Sequence, residues 1–224
     1  MAGSVPPVPA GGPGATRRYA RVVTFWDERY GSVAWAFGTE PNDFLRERAA
    51  DIPAGPVLCI GDGEGRNGVF LASLGHEVTS VDLSAVGLRK ARGLAAERGV
   101  QLHTVQADLA DFEVGVGCWA GIVSIFCHLP AVLRDELFPR LVTGLVPGGV
   151  VLVESYTPAQ IGRGTGGPRD VDLLETGADL LRRFAALRCE HVWEGERLVV
   201  EGEFHSGTAS VVQFLGRSVA GTPA

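Results

Sequence analysis

Hydrophobic residues gather in short runs at 56–60, 77–81, 101–105, 120–126 and 149–155, and apolar positions recur at helical spacing over 66–74, 84–98 and 130–145. Such runs, punctuated by glycine, proline and polar residues, read as buried strands. Their regular exchange with amphipathic helices predicts an α/β, mostly parallel, doubly wound sheet. Further on, Leu173, Leu174, Leu180, Leu181 and Phe184 predict a helix over 171–186, followed by strands at about 187–204 and 208–217. No helical spacing separates the last two, so they should form an antiparallel pair at one edge, giving seven strands in all. No internal repeat is visible.

Two segments interrupt the alternation. Residues 1–16, MAGSVPPVPAGGPGAT, are small residues and prolines that cannot bury enough surface to offset the entropy of ordering; a flexible tail is expected there and again over 219–224. Residues 157–170, TPAQIGRGTGGPRD, hold four glycines and two prolines, and so long a loop inside a compact domain is expected to serve the active site. The chain has 224 residues and 46% hydrophobic content, which is ample for one core and short for two enzyme domains. A formal charge of −6 and scattered arginines give no reason to bind nucleic acid, and neither a secretory signal nor a membrane-spanning stretch is apparent. Cys59, Cys118, Cys127 and Cys189 form no C-x-x-C pair; they read as buried, reduced thiols of a cytoplasmic protein, without a metal site or disulfide framework.

The chemistry begins at VLCIGDGEGRNG, residues 57–68, where the first strand breaks into Gly61, Gly63 and Gly65 ahead of a helix. Glycines there permit tight turning and close backbone approach to a ligand at the strand ends, and the helix start offers free N–H groups. A dinucleotide loop is spaced G-x-G-x-x-G. Here the spacing is G-x-G-x-G, with Asp62 and Glu64 where a pyrophosphate would lie, and acids repel it. S-adenosylmethionine has no phosphate and carries a sulfonium charge, so it tolerates these acids. Asp82 ends the second strand, where a carboxylate can accept from both ribose hydroxyls, with Leu83 beside the adenine. Asp108 ends the third, placed for the adenine amino group, with Leu109 beside it.

With G61-D-G-E-G65, VD82, AD108 and LVPGG149 together, the sequence over 17–218 resembles the class I S-adenosylmethionine-dependent methyltransferases, whose fold is Rossmann-like. FWDERYGSVAWAFGTEPNDFL (25–45) and GEGRNGVFLASLGHEVTSVDLS are similar to the tellurite-resistance type, whose relatives include thiol and thiopurine methyltransferases. The chain departs from that pattern at Cys59, where an acid is usual, and at Asp62, where cysteine is common. The resemblance implies one methyltransferase domain, S-adenosylmethionine as cofactor, and a lid over 17–45. Trp26, Tyr30, Trp35 and Phe37 lie in that lid, and aromatic faces attract a sulfonium by cation–π electrostatics. Tyr30 is the choice for direct contact and a candidate catalytic residue, with Trp26, Asp62 and Phe126 also in the cofactor set. Asn67 would fix the methionine end, and Arg66 reads as a solvated or lid-binding residue.

Methyl transfer needs alignment of a nucleophile more than covalent catalysis, and a base only where the nucleophile arrives protonated. His128 in SIFCHLP and His205 in EGEFHSG are the candidate catalytic histidines. His128 also joins Tyr156 and Arg163 as candidate contacts to the acceptor. The leading expectation is a small-molecule methyltransferase with a thiol or other chalcogen acceptor (selenium or tellurium). The alternatives are O- or N-methylation of a small metabolite, and a nucleotide-binding oxidoreductase or regulatory binding module.

Overall fold

A computed structural model describes residues 17–32 and 34–219. The expected tail over 1–16, and all of the C-terminal one except Val219, lie outside the described residues.

The chain opens with α1 (Arg17–Ser32) and the short α2 (Asp43–Arg48), then runs β1 (Pro56–Ile60), α3 (Arg66–Ser73), β2 (Glu77–Asp82), α4 (Ala85–Glu97) and β3 (His103–Gln106). It continues with β4 (Trp119–Ile125), α5 (Ala131–Gly144), β5 (Leu145–Tyr156), α6 (Gly177–Arg183), β6 (Arg188–Glu201) and β7 (His205–Arg217). The seven strands lie in the order β3-β2-β1-β4-β5-β7-β6. The first five are parallel, while β7 runs antiparallel to both β5 and β6. The seven-stranded α/β sheet with its C-terminal hairpin is therefore as expected, with β6 rather than β7 at the edge.

Alternation along the strands divides the core into two layers. Val57 and Cys59 of β1 face Phe44, Leu45 and Leu71 of α2 and α3. Leu58 and Ile60 face the layer built with Leu137, Phe138 and Leu141 of α5 and Leu180 and Phe184 of α6. Burial on both faces explains why the parallel strands read as unbroken apolar runs.

Two expectations need correction. The helix proposed over 171–186 is a 3-10 turn, Val171–Leu173, followed by extended residues and then α6. Thr176 accepts from the Asp179 amide and Asp179 returns to Thr176, a capping box that starts a fresh helix between the two leucine pairs. Cysteine burial is also less uniform than expected: Cys59 is buried, Cys118 and Cys127 are partly so, and Cys189 is exposed. Among the described residues no helix is long and apolar enough to cross a membrane.

Candidate functional site

Strand order reverses between β1 and β4, and the C-terminal ends of β1, β2, β4 and β5 meet there, where α/β sheets bind ligands. The loop after β1 is shaped by its glycines. Gly61, Gly63 and Gly65 adopt φ of 60, 56 and 83°, a region that side chains rarely enter. A Cβ at Gly61 would stand 2.5 Å from the Cys127 Sγ, and one at Gly63 would stand 2.4 Å from the Tyr30 hydroxyl.

Both acids of this loop are committed to the protein. Asp62 accepts from the Ser80 hydroxyl at 2.5 Å and from the Gly68 amide at 3.3 Å, at the start of α3. Burial pushes its carboxyl up to about 7, although these hydrogen bonds pull the other way. Glu64, 3% exposed, accepts through Oε2 from the Ala36 and Phe37 amides at 2.9 and 3.3 Å, while its Oε1 pairs with Lys90 at 2.8 Å. Neither carboxyl group stands free to receive a ligand group.

Asp82 ends β2 and is 7% exposed. One of its oxygens accepts from the Gly63 amide and the other from the Ser84 amide, each at 2.8 Å. Burial raises its pKa against the pull of these amides. A carboxylate offers about four lone-pair sites, so acceptor capacity remains on both oxygens. Asn67, also buried, accepts from the Asn42 amide at 3.0 Å.

Tyr30, Trp26 and Phe37 close the mouth. Trp26 stacks on Tyr30 at 5.6 Å, and Phe37 meets the Tyr30 ring edge-on at 6.2 Å. Burial, and then Asp82, push the Tyr30 phenol well above its usual pKa and keep it neutral. Trp35 lies apart, packed near Val69 and Leu94 with the Lys90 ammonium 5.6 Å over its ring. The remaining cavity, about 50 Å³, is lined in part by Trp26, Tyr30, Asn67, Phe126, His128 and His205.

Behind these residues lies an aromatic enclosure. Phe126, which follows β4, is the only non-glycine residue among those described with positive φ, at 50°. Such strain at a strand end near a cavity is a mark of function. Phe126 stacks on Tyr156 at 4.5 Å and meets His205 edge-on at 4.9 Å; His128 stacks on Tyr156 at 5.5 Å. The Tyr156 hydroxyl, the His205 Nδ1 and both ring nitrogens of His128 are sealed from solvent with no hydrogen-bond partner. The Leu173 backbone borders His128 without the geometry of a full hydrogen bond. Burial lowers the His128 pKa to about 4; burial and the neighbouring His128 put that of His205 well below its usual value. Both rings are neutral at physiological pH.

Several expected residues stand elsewhere. Arg163 is paired with Glu196 at 2.6 Å and donates to the Ala159 carbonyl, outside the cavity lining. Arg66, by contrast, lines the cavity and binds the segment expected as a lid: 7% exposed rather than solvated, it donates to the Glu40 carbonyl at 3.4 Å and pairs with Glu201 at 2.5 Å. Gly63, Gly65, Asp82, Leu83, Asp108, Leu109 and Tyr156 do not line the cavity, and Asp108 caps its own turn by accepting from the Ala110 amide. What sequence reasoning missed is the holding structure. Asp27 of α1 accepts from the Ser84 hydroxyl and the Val86 amide, Asn42 bridges Glu154 and Glu201, and Gly166 and Gly167 pack on Tyr156 and His205. Only Asn42, as a helix cap before a hydrophobic pair, had a local signal.

Comparison with known proteins bears on the domain and the fold. Residues 57–149 match a family described as a methyltransferase domain. The chain is 28% identical over 140 residues to a 2-heptyl-1-hydroxyquinolin-4(1H)-one methyltransferase of Mycobacteroides abscessus; the match covers 61% of this chain and 62% of that protein, less than two thirds of its length. Among solved structures, TehB of Haemophilus influenzae superposes with a TM-score of 0.68 at 16% identity, over 86% of this chain and 67% of that one. The N-methyltransferase NodS of Bradyrhizobium japonicum, in complex with S-adenosylhomocysteine, gives 0.66 at 15% identity, over 88% and 97%.

Proposed function

We propose that this chain, a class I S-adenosylmethionine-dependent methyltransferase by its domain and fold and similar to the tellurite-resistance group, methylates a small, largely apolar molecule at an acidic chalcogen, most simply a thiol. The observation that carries the acceptor class is the pair of neutral histidines, with both ring nitrogens of His128 and the Nδ1 of His205 unpartnered, in an aromatic enclosure beside the glycine loop.

The residues fit the cofactor. The glycines let the loop turn at positive φ in close contact with Cys127, Tyr30 and Ala91, and Asp82 keeps lone pairs for a ribose diol. Trp26, Tyr30 and Phe37 offer aromatic faces to a sulfonium, worth roughly 0.5–2 kcal/mol each. When bound, S-adenosylmethionine supplies the electrophilic methyl carbon. A cavity of about 50 Å³ is well below the roughly 300–1,000 Å³ of small-molecule sites, so α1 and the segment after it must lift to admit ligands.

On the acceptor side, a histidine with its pKa near 4 is a poor base for an alcohol or a protonated amine. It can still orient an X–H group and take up the proton of one that is already acidic. That favours thiols and selenols. A second reading, an acidic aryl or N-linked hydroxyl, is supported by the relative named for a hydroxyquinolone.

Calorimetry with S-adenosylmethionine, S-adenosylhomocysteine and NAD tests the cofactor: the first two should bind and NAD should not, and preferential NAD binding would overturn the assignment. Transfer of labelled methyl to thiophenol, phenol and aniline tests the acceptor. Thiophenol should be methylated fastest. His128→Asn and His205→Asn should each keep substantial thiol turnover above the thiol pKa, which is about 8.5 for an unperturbed cysteine-like group. Turnover of phenol alone, lost in either variant at every pH, would sink the thiol reading.

A further inference from the structure

The segment after α1 hangs between two parts of the site. On one side Glu64, from the glycine loop, holds the Ala36 and Phe37 amides with a single carboxylate oxygen, and its other oxygen is fixed by Lys90. Lys90 also donates to the Tyr30 carbonyl at the end of α1. On the other side the Ala36 carbonyl accepts from the Glu203 and Phe204 amides, at 3.1 and 3.4 Å, in the turn between β6 and β7. Gly202 makes that junction possible, because at its φ of 72° a Cβ would stand 2.5 Å from the Phe37 backbone. The next residue of that turn is His205, whose ring lies 4.4 Å from that of Phe37. Ala36 is fully buried, so its amide and carbonyl have no water to fall back on.

We infer that Glu64 is a positioning residue: through Ala36 and Phe37 it couples the glycine loop, where the cofactor binds, to the placement of His205 on the acceptor side. The inference rests on the methyltransferase reading for the site's occupant. A ligand that moves the loop or displaces Tyr30 from Gly63 must pull on this segment, and the segment can shift only with the β6–β7 turn. Coupling of this kind is reciprocal, so a filled acceptor site also tightens the cofactor site.

The test needs no acceptor. Amide hydrogen exchange and histidine side-chain NMR are recorded for the full chain with and without S-adenosylhomocysteine, in the wild type, Glu64→Gln, Glu64→Ala and Gly202→Ala. In the wild type the ligand should slow exchange at Ala36, Phe37, Glu203 and Phe204 together, by about tenfold, and shift the His205 signals. Glu64→Gln keeps a carbonyl oxygen for the two amides and should keep the response. In Glu64→Ala the ligand should still bind and protect residues 61–65, while the response at Glu203, Phe204 and His205 falls below about twofold. Gly202→Ala breaks the connection at its far end and should give the same loss with the glycine loop intact, which carries the test if Glu64→Ala does not fold. A turn that responds in either alanine variant as it does in the wild type overturns the coupling. So does a wild type that binds the ligand with no response at the turn. A wild type that does not bind S-adenosylhomocysteine overturns both the coupling and the methyltransferase reading.

Discussion

Asp62 shows how a side chain can line a site and still be committed to the protein. It sits inside the glycine loop and borders the cavity, while its carboxylate fills the niche left by Gly68 between α3 and β2, where a Cβ on that glycine would stand 2.5 Å from it. In the unfolded chain this carboxyl ionises near 4; in the folded protein it does so near 7. Between those values the folded state holds a proton that the unfolded state lacks, so its contribution to stability is lost as pH rises through 7. Asp62→Asn keeps an acceptor for Gly68 and a partner for Ser80 without the charge. Its thermal midpoint should therefore gain on the wild type as pH rises from 5 to 8, which scanning calorimetry at several pH values can follow. A difference that does not vary with pH would mean that Asp62 stays ionised in its niche. His128 behaves in the opposite sense, since its folded pKa is lowered: stability is lost as pH falls below about 6.5, and no histidine step belongs in the activity profile at neutral pH.

At the scale of elements, local pattern was a good guide wherever an element is buried by its neighbours in a repeating way. The five parallel strands and the helices between them fell within a few residues of the expected runs, because both faces of β1, β2, β4 and β5 are covered; β3, at the sheet edge, is only half-buried. The region 171–186 misled because leucines spaced seven apart suit one helix or two short pieces equally well, and the Thr176 cap decides between them. The loop 157–170 was visible as glycine-rich and expected at the active site, but which of its residues approach the candidate site was not. Gly166 and Gly167, at φ of 118 and 84°, lie directly on the enclosure: Cβ atoms there would approach the Tyr156 ring and the His205 ring to 2.7 and 2.9 Å. The two glycines thus roof the aromatic enclosure, the proposed acceptor side, while Arg163 pairs with Glu196. Gly167→Ala should push Tyr156 into the enclosure and raise KM for thiophenol by about tenfold or more, with affinity for S-adenosylhomocysteine almost unchanged. Steady-state kinetics beside calorimetry separates the two. An equal loss of cofactor affinity would place this loop over the whole site instead.

Across the whole molecule, what sequence could not reveal is the set of polar ties that join segments far apart in the chain. Asn42 donates to Glu154 and Glu201 at 2.5 and 2.8 Å, across 112 and 159 residues. Arg197 grips Glu154 with two nitrogens, at 2.6 and 2.9 Å, and reaches Glu201 at 3.0 Å; Gln213 adds a further bond to Glu154, and Arg66 closes on Glu201. No spacing or propensity encodes such pairings, and each residue taken singly reads as a solvated charge. Burial works against the Arg197 charge, but the hydrogen bonds and charge of Glu154, followed by Glu201, outweigh it and raise its pKa. The network fastens the start of α2, the start of α3, β5, β6 and β7 to one another, directly beneath the candidate site. Glu154 is its centre, with no exposure to solvent. Removing one partner of a buried pair leaves the other uncompensated, which costs about 3–5 kcal/mol, whereas replacing both with apolar residues of similar volume is often neutral. Glu154→Ala should therefore lose about 3–5 kcal/mol in urea unfolding and weaken S-adenosylhomocysteine binding through Asn42 and Asn67. Glu154→Met with Arg197→Met should recover much of the stability but not the binding, since Asn42 would lack its acceptor on β5. Should Glu154→Ala cost less than about 1 kcal/mol, the network would rank with ordinary surface ion pairs, and the segment before β1 would owe its placement to aromatic packing and to its bonds with Glu64, Lys90 and Ser84.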